Sequence, residues 1–189
     1  MDNIVIFGAP GSGKGTYSAA LVEKFGYSHI STGDVLRAEI REGTQLGRIA
    51  EKYIENGQLI PDDLIIDMLA DVYDTMRQGP GVIFDGFPRT IVQAKALKDM
   101  LATRGEKISV TLNLIVSEDI LMERLLNRAK IEGRSDDNEQ TIKNRFNVYY
   151  SQTHPLIEWF RQEGVLSEFT FKGDKDLMIQ EIIEKVESI

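Results

Sequence analysis

The sequence has no cysteine in its 189 residues, which excludes disulfides, thiolate metal centres and cysteine nucleophiles together. No apolar run approaches the roughly 20 residues of a membrane-spanning helix. The N-terminal MDNIVIFG also lacks the basic start and cleavage site of a signal peptide. Positive charge is in deficit: 22 Lys and Arg stand against 30 Asp and Glu, a net charge of −8. A field of that sign repels nucleic acid and anionic membranes. Neither is expected as a partner, so an anionic substrate must be held by locally clustered cations. The expectation is a cytoplasmic protein acting on small molecules, and nothing demands more than a monomer. Histidine is scarce too; His29, ahead of a predicted strand, and His154, before Pro155, read as structural.

What remains is ordinary globular material, 42% apolar and 28% charged, enough for one domain with small inserts. Short apolar runs end in turn residues: Asn3–Phe7 at Gly8, Val82–Phe84 at Asp85, Thr111–Val116 at Ser117. Glu168–Phe171 is a fourth candidate and His29–Ser31 a weaker fifth. Runs apolar on both sides predict strands buried on both faces of a parallel sheet. Helical stripes lie between them. Asp63–Met76 repeats apolar residues at steps of three and four behind Pro61 and Asp62, which suit a helix start. Ser117 with Glu118 and Asp119 reads as an N-cap and acidic first turn before Ile120–Ala129, and Asp176–Val186 closes the chain. Strand and helix alternate, predicting an α/β sandwich. Residues 31–60 and the polar stretch 130–138 interrupt that alternation, as inserts at the carboxyl edge of the sheet would.

The strongest local signal is Gly8-Ala9-Pro10-Gly11-Ser12-Gly13-Lys14-Gly15-Thr16, between the first strand and a helix. Glycines let successive backbone amides turn inward as an anion nest; the helix adds its positive end and Lys14 a full charge. Gly15 stands where the general phosphate-loop pattern has Ser or Thr, so Thr16 is not assigned as a direct Mg²⁺ ligand. Asp85, ending a strand beside the first, can orient a phosphate-bound metal or its waters. Gly86-Phe87-Pro88-Arg89-Thr90 projects Arg89 beside it, and Arg37 in Ile30–Arg37 can complete a clamp on a second anion. Arg124 and Arg128 share one helix face. With Arg134 and Arg145 they put four arginines within 22 residues, 124 to 145, where convergent cations can stabilise a transferring phosphoryl group.

GAPGSGKGT, ISTGDVLR, FDGFPRT and GRSDDNEQTIKNR resemble the successive signatures of the adenylate kinases, in the same order and over nearly the whole chain. The resemblance implies a three-layer P-loop NTPase fold with a five-stranded parallel sheet flanked by helices. It also implies an AMP-binding insert at 31–60 and an ATP lid at 127–138. The short stretch from Arg128 to Arg134 is similar to the short-lid branch, which has no zinc, and the lack of cysteine agrees. Carried over by motif, Gly11, Ser12, Gly13, Lys14, Gly15 and Thr16 bind ATP phosphates, with Arg124, Arg128 and Lys175 at the same nucleotide. Thr32, Arg37, Gln58, Leu59, Ile60, Gly86, Phe87, Pro88, Arg89 and Gln93 form the AMP site. Arg134 and Arg145 bridge the substrates, and Mg²⁺ comes with ATP. Thr32 and Thr90 favour adenylate, because uridylate and cytidylate relatives tend to have alanine and asparagine there. Tyr17 and Ala129 depart from the usual glutamine and glycine.

The expected reaction is reversible transfer of the γ-phosphoryl group of MgATP to AMP. Its attacking oxygen is already anionic and needs no strong base, so Lys14, Asp85 and the arginines suffice. Three rivals stand beside it. A GTPase switch lacks any Asn-Lys-x-Asp sequence. A silent nucleotide-binding module leaves the intact arginines without purpose. A kinase for another monophosphate changes only the base.

Overall fold

Five segments pair in parallel in a computed structural model that describes residues 1–189: β1 (Asp2–Gly8), β2 (Ser28–Ser31), β3 (Gly81–Asp85), β4 (Val110–Ile115) and β5 (Leu166–Thr170). Their spatial order is β2-β3-β1-β4-β5. The three central strands are buried on both faces and coincide with the three clearest apolar runs. Edge strands β2 and β5 are only partly buried, which is why their sequences carry the weaker signal. His29 lies inside β2 rather than ahead of it.

Side chains alternate across β1. Ile4 and Ile6 meet α1 (Lys14–Phe25) and α9 (Lys175–Glu187) through Tyr17, Leu21, Met178 and Ile182. Val5 and Phe7 face the opposite layer, where α4 (Asp62–Met76), α5 (Ile91–Ala102) and α8 (Leu156–Gln162) bury Leu69, Tyr73, Leu97 and Phe160. The helical stripe read in 63–76 is the buried face of α4. Tyr17, at the unusual position, is a core residue whose ring lies against Gly13.

The stretch 31–60 folds as α2 (Thr32–Glu42) and α3 (Gln45–Ile54) plus a return segment. The two helices touch backbone to backbone: a Cβ on Gly47 would lie 2.1 Å from the Glu39 carbonyl oxygen. Farther on, α6 (Glu118–Glu132) is followed by α7 (Glu139–Val148) and a π-helical turn, Tyr149–Thr153.

One expectation about the helices needs correction. The stretch 130–138 is not all loop: α6 continues through Lys130, Ile131 and Glu132, two of them good helix formers, and stops at left-handed Gly133. Ser117 occupies the N-cap position of α6, but its hydroxyl caps no amide. Trp159 sits half-buried at the rim of the core, edge-on to Phe160. No helix is long and apolar enough to cross a membrane.

Candidate functional site

The parallel sheet brings the carboxyl ends of β1, β2 and β3 to one edge, and the chemistry-bearing residues of the sequence leave from there. After β1 the chain turns through Gly11 (φ 84°) and Gly13 (φ 97°), left-handed conformations that side chains rarely adopt. Gly13 is the N-cap of α1, so the positive end of that helix opens on the loop. Lys14 folds back over it, its Nζ donating to the carbonyls of Gly8 (3.1 Å) and Ala9 (3.3 Å). The cleft above has a volume of about 420 Å³ and is walled by seven cations: Lys14, Arg37, Arg89, Arg124, Arg128, Arg134 and Arg145. Gly11, Gly13, Gly15 and Thr16 line it as well.

Crowding of like charge shows in the ionisation of these groups. Lys14 is lowered to about 8, chiefly by burial; Asp85 opposes this, and Arg89, Arg145 and Arg128 add to it. Arg89 falls to about 10, first through burial and then through Arg145. Burial also lowers Arg145, against the pull of Asp136 and Asp137. A dianionic or trianionic ligand relieves this stress.

Carboxylates of the same chain supply part of the counter-charge. Asp137, fully buried in its side chain, accepts two bonds from Arg128 (2.6 and 2.7 Å) and one from Arg145 (2.8 Å). Asp136 adds a contact to Arg145 at 3.3 Å. Arg134 pairs with Glu132 at 2.6 Å, and Arg37 with Asp34 at 2.5 Å. Burial raises Asp137, but the hydrogen bond and charge of Arg128, with Arg145 and Arg134, outweigh it and hold the carboxyl below its usual range.

A second pocket, about 80 Å³, lies between the sheet edge and α2. Thr32, Arg37, Gln58, Leu59, Ile60, Gly86, Arg89 and Gln93 line it. It shares Gly33, Arg37, Gly86, Arg89 and Arg145 with the larger cleft. The 86–90 turn, with a cis Phe87–Pro88 bond, is fixed by hydrogen bonds. Arg89 Nε donates to the Gly86 carbonyl (2.7 Å), and its amide to Gln93 Oε1 (2.7 Å). Gln93 Nε2 and the Thr90 hydroxyl both donate to Asp62. Phe87 and Pro88 wall a small void of about 60 Å³ next to Lys14.

Some expected residues stand apart. Ser12 is fully buried, its Oγ unpartnered and outside the cleft wall. Thr90 caps α5 and points to Asp62. Lys175 opens α9 as an exposed residue that does not line the cleft. Others were not expected. His29 Nε2 lies 3.2 Å from Asp85 Oδ2, because the register pairs His29 with Ile83 and sets Asp85 two residues along the same face. Phe171 lies under Arg124, 4.5 Å from guanidinium carbon to ring centroid. No sequence pattern marks Phe171. Asp136 and Asp137 of the GRSDDN motif are the carboxylates that hold Arg145 and Arg128.

No group of three or more His, Cys, Asp or Glu side chains could hold a metal ion. Asp85, one carboxylate at the cleft wall, suits a hard divalent ion that keeps most of its shell as water and phosphate oxygen.

A family model described as adenylate kinase matches residues 6–165. Adenylate kinases of Bacteroides thetaiotaomicron and Phocaeicola vulgatus are 59% and 58% identical over 189 residues, covering both chains fully. That of Porphyromonas gingivalis is 50% identical over 192 residues, covering all of this chain and 99% of the relative.

Proposed function

This chain belongs to the adenylate kinase family, enzymes that move a phosphoryl group reversibly between ATP and AMP, and we propose how its cleft divides that work. The reading is carried by one observation: two pockets share a wall containing Arg37, Arg89 and Arg145. Phosphates entering from either side meet there.

On the donor side, Gly11–Thr16 present backbone amides to the ATP phosphates, Ser12 through the backbone alone. Lys14 turns from its two carbonyls to the β- and γ-phosphates. Arg124 and Arg128 neutralise the same chain of phosphates, and the backbone near Lys175 borders the adenine. On the acceptor side, Arg37 and Arg89 clamp the AMP phosphate. Thr32, Gln58, Leu59, Ile60, Gly86 and Gln93 enclose its nucleoside, with Phe87 and Pro88 supporting the turn. Arg134 and Arg145 close on the group in transit. Magnesium bound to ATP supplies charge neutralisation and orientation, with Asp85 as the carboxylate that would hold it through water. No general base is needed, since the attacking phosphate oxygen is anionic; His29 orients Asp85 instead.

The insert at 31–60 is a flap and 127–138 a lid comprising the last turn of α6 and the loop behind it. An 80 Å³ pocket is far below the roughly 300 Å³ of a small-ligand site, so AMP enters by displacing α2 and α3. Closure then excludes water, the competing acceptor. The enzyme is read as a cytoplasmic monomer acting on free nucleotides, its net charge of −8 unsuited to nucleic acid or anionic membrane.

The test is ADP formation from ATP and Mg²⁺ with AMP, CMP, UMP or GMP supplied separately at equal concentration. Strong preference for AMP, lost in Lys14→Ala, supports the reading. Preference for CMP or UMP overturns the acceptor; no turnover overturns the mechanism.

A further inference from the structure

A groove of about 500 Å³ opens at the carboxyl ends of β4 and β5 and shares no residue with the nucleotide cleft. Ala9 of the phosphate loop forms part of its wall, so the loop separates the two. The groove has an apolar side, where Ile115, Val116 and Ile157 lie; Ile115 is 40% exposed.

Its aromatic side follows from the π-helical turn. The amide of His154 donates to the carbonyl of Tyr149 at 2.7 Å, a five-residue step that sets these two rings on one face with Tyr150 between them. Ring centroids are 5.2 Å apart for Tyr149–Tyr150, 6.2 Å for Tyr149–His154 and 6.0 Å for Tyr150–His154. Tyr150 is 47% exposed and offers a free ring face.

The polar side consists of acceptors and negative charge. Glu158 and Glu168 line the groove, and Glu118 lies close enough to Tyr150 to act on its hydroxyl. One cation, Arg161, answers two of these three carboxylates, at 2.5 Å from Glu158 and 3.4 Å from Glu168. Asn113, 1% exposed, lines the groove; its Nδ2 is spent on Glu168 Oε1 at 3.2 Å and its Oδ1 accepts no hydrogen bond. An unpaired acceptor at Asn113 Oδ1, carboxylates with lone pairs to spare, open π faces and surplus negative charge call for one kind of guest, a flat cation rich in N–H donors.

We propose that this groove binds an alkylguanidinium group. The planar head stacks on Tyr150 and His154 and donates to Asn113 Oδ1 and Glu168. The alkyl stem lies on Ile115, Val116 and Ile157. Arg161 shows in the same chain how a guanidinium sits between these carboxylates. Nucleotides are excluded by charge, so the two sites do not compete.

The test is titration of the full chain with butylguanidinium, followed by amide chemical shifts and calorimetry, with neutral butylurea as the isosteric control. The expected result is saturable shifts confined to Ile115–Val116, Tyr149–His154 and Glu168, and at least roughly tenfold weaker binding of butylurea. Glu168→Gln and Tyr150→Ala, both at exposed side chains outside the catalytic machinery, each weaken binding on the order of tenfold. Arg161→Ala tightens it by freeing Glu158 and Glu168. Retained ADP formation certifies that each variant is folded. A peptide with one arginine among glycines, run beside butylguanidinium, tells an arginine side chain from a free cation as the source. Shifts that never saturate, equal binding of butylurea, or affinity unchanged in both weakening variants overturns the proposal.

Discussion

Lys14 has a pKa of about 8 against an ordinary 10.5, about two units below Arg89, the next cation of the cleft to fall, at about 10, so rising pH perturbs Lys14 first. Burial disfavours its charge most; Asp85 restores some of it, and Arg89, Arg145 and Arg128 subtract more. In the free enzyme the charged fraction at pH 7 is about nine-tenths, and at pH 9.5 roughly one in thirty. Since kcat/KM reports the ionisation of the free enzyme, kcat/KM for ATP is expected to fall roughly thirtyfold between those values. Phosphates beside the ammonium raise its pKa again, so kcat at saturation holds to higher pH. Stability moves the other way. The folded pKa lies below the unfolded one, so the unfolded chain binds more protons between pH 8 and 10.5. The cost of burying the charge is therefore felt in full below pH 8 and fades above it. Lys14→Met is accordingly expected to be inactive yet to melt higher than the parent at pH 7. The assay is initial ADP formation at saturating AMP from pH 6.5 to 10 at constant ionic strength, with Lys14→Arg, which removes the lysine's titration and leaves that of Arg89, as the control. A flat kcat/KM to pH 10, or an alkaline limb that persists unchanged in Lys14→Arg, refutes the reasoning.

Arg89→Lys retains charge but not the fork that bonds the Gly86 carbonyl while facing phosphate; kcat is expected to drop about 10²–10³-fold with unchanged circular dichroism, and near-parental rates would remove the clamp. Gly47→Ala forces α2 and α3 apart, since its Cβ would meet the Glu39 carbonyl at 2.1 Å. A loss of about 1–3 kcal/mol by chemical denaturation and a raised KM for AMP, but not ATP, are expected. Asp137→Asn leaves Arg128 and Arg145 without their shared anion and is expected to cost about 1–3 kcal/mol near neutral pH. Because the folded carboxyl is depressed, its contribution is present above the ordinary carboxylate range and lost as pH falls through the folded value. Melting curves of parent and variant should therefore converge on acidification, and a gap independent of pH would refute the ion-pair account.

The parts of the site legible in the sequence are those whose chemistry is local. A phosphate loop needs glycines and a lysine in contiguous register, so Gly11–Thr16 stood out before any fold was known, and so did the 86–89 turn. Central strands were legible because burial on both faces leaves an unbroken apolar run. Edge strands bury far less, and β2 gave a correspondingly faint signal. The contacts that escaped are set by register or by the meeting of two helices. His29 reaches Asp85 only because β2 pairs with β3 in one particular frame, and Phe171 reaches Arg124 only because the chain after β5 passes under α6. Lys130, Ile131 and Glu132 looked like loop beside the polar run that follows, although Gly133 marks the stop.

The pairing of arginines with carboxylates changes how the site is understood. Counting cations alone gives a cleft so positive that any polyphosphate would bind indiscriminately. The folded chain instead holds Arg128 and Arg145 on Asp136 and Asp137, Arg134 on Glu132, and Arg37 on Asp34. A phosphate must displace or share these carboxylates, so its net binding is a difference between two charge-assisted interactions rather than the sum of one set. Only a ligand whose phosphates reach several arginines together recovers what each exchange costs. Arg89 and Arg145 lie on both walls, so phosphates held at the two pockets together would divide the cost of displacing their carboxylates, which an isolated phosphate bears alone. The acidic residues therefore set how much a ligand must offer before the arginines release them, which a count of cations alone does not show.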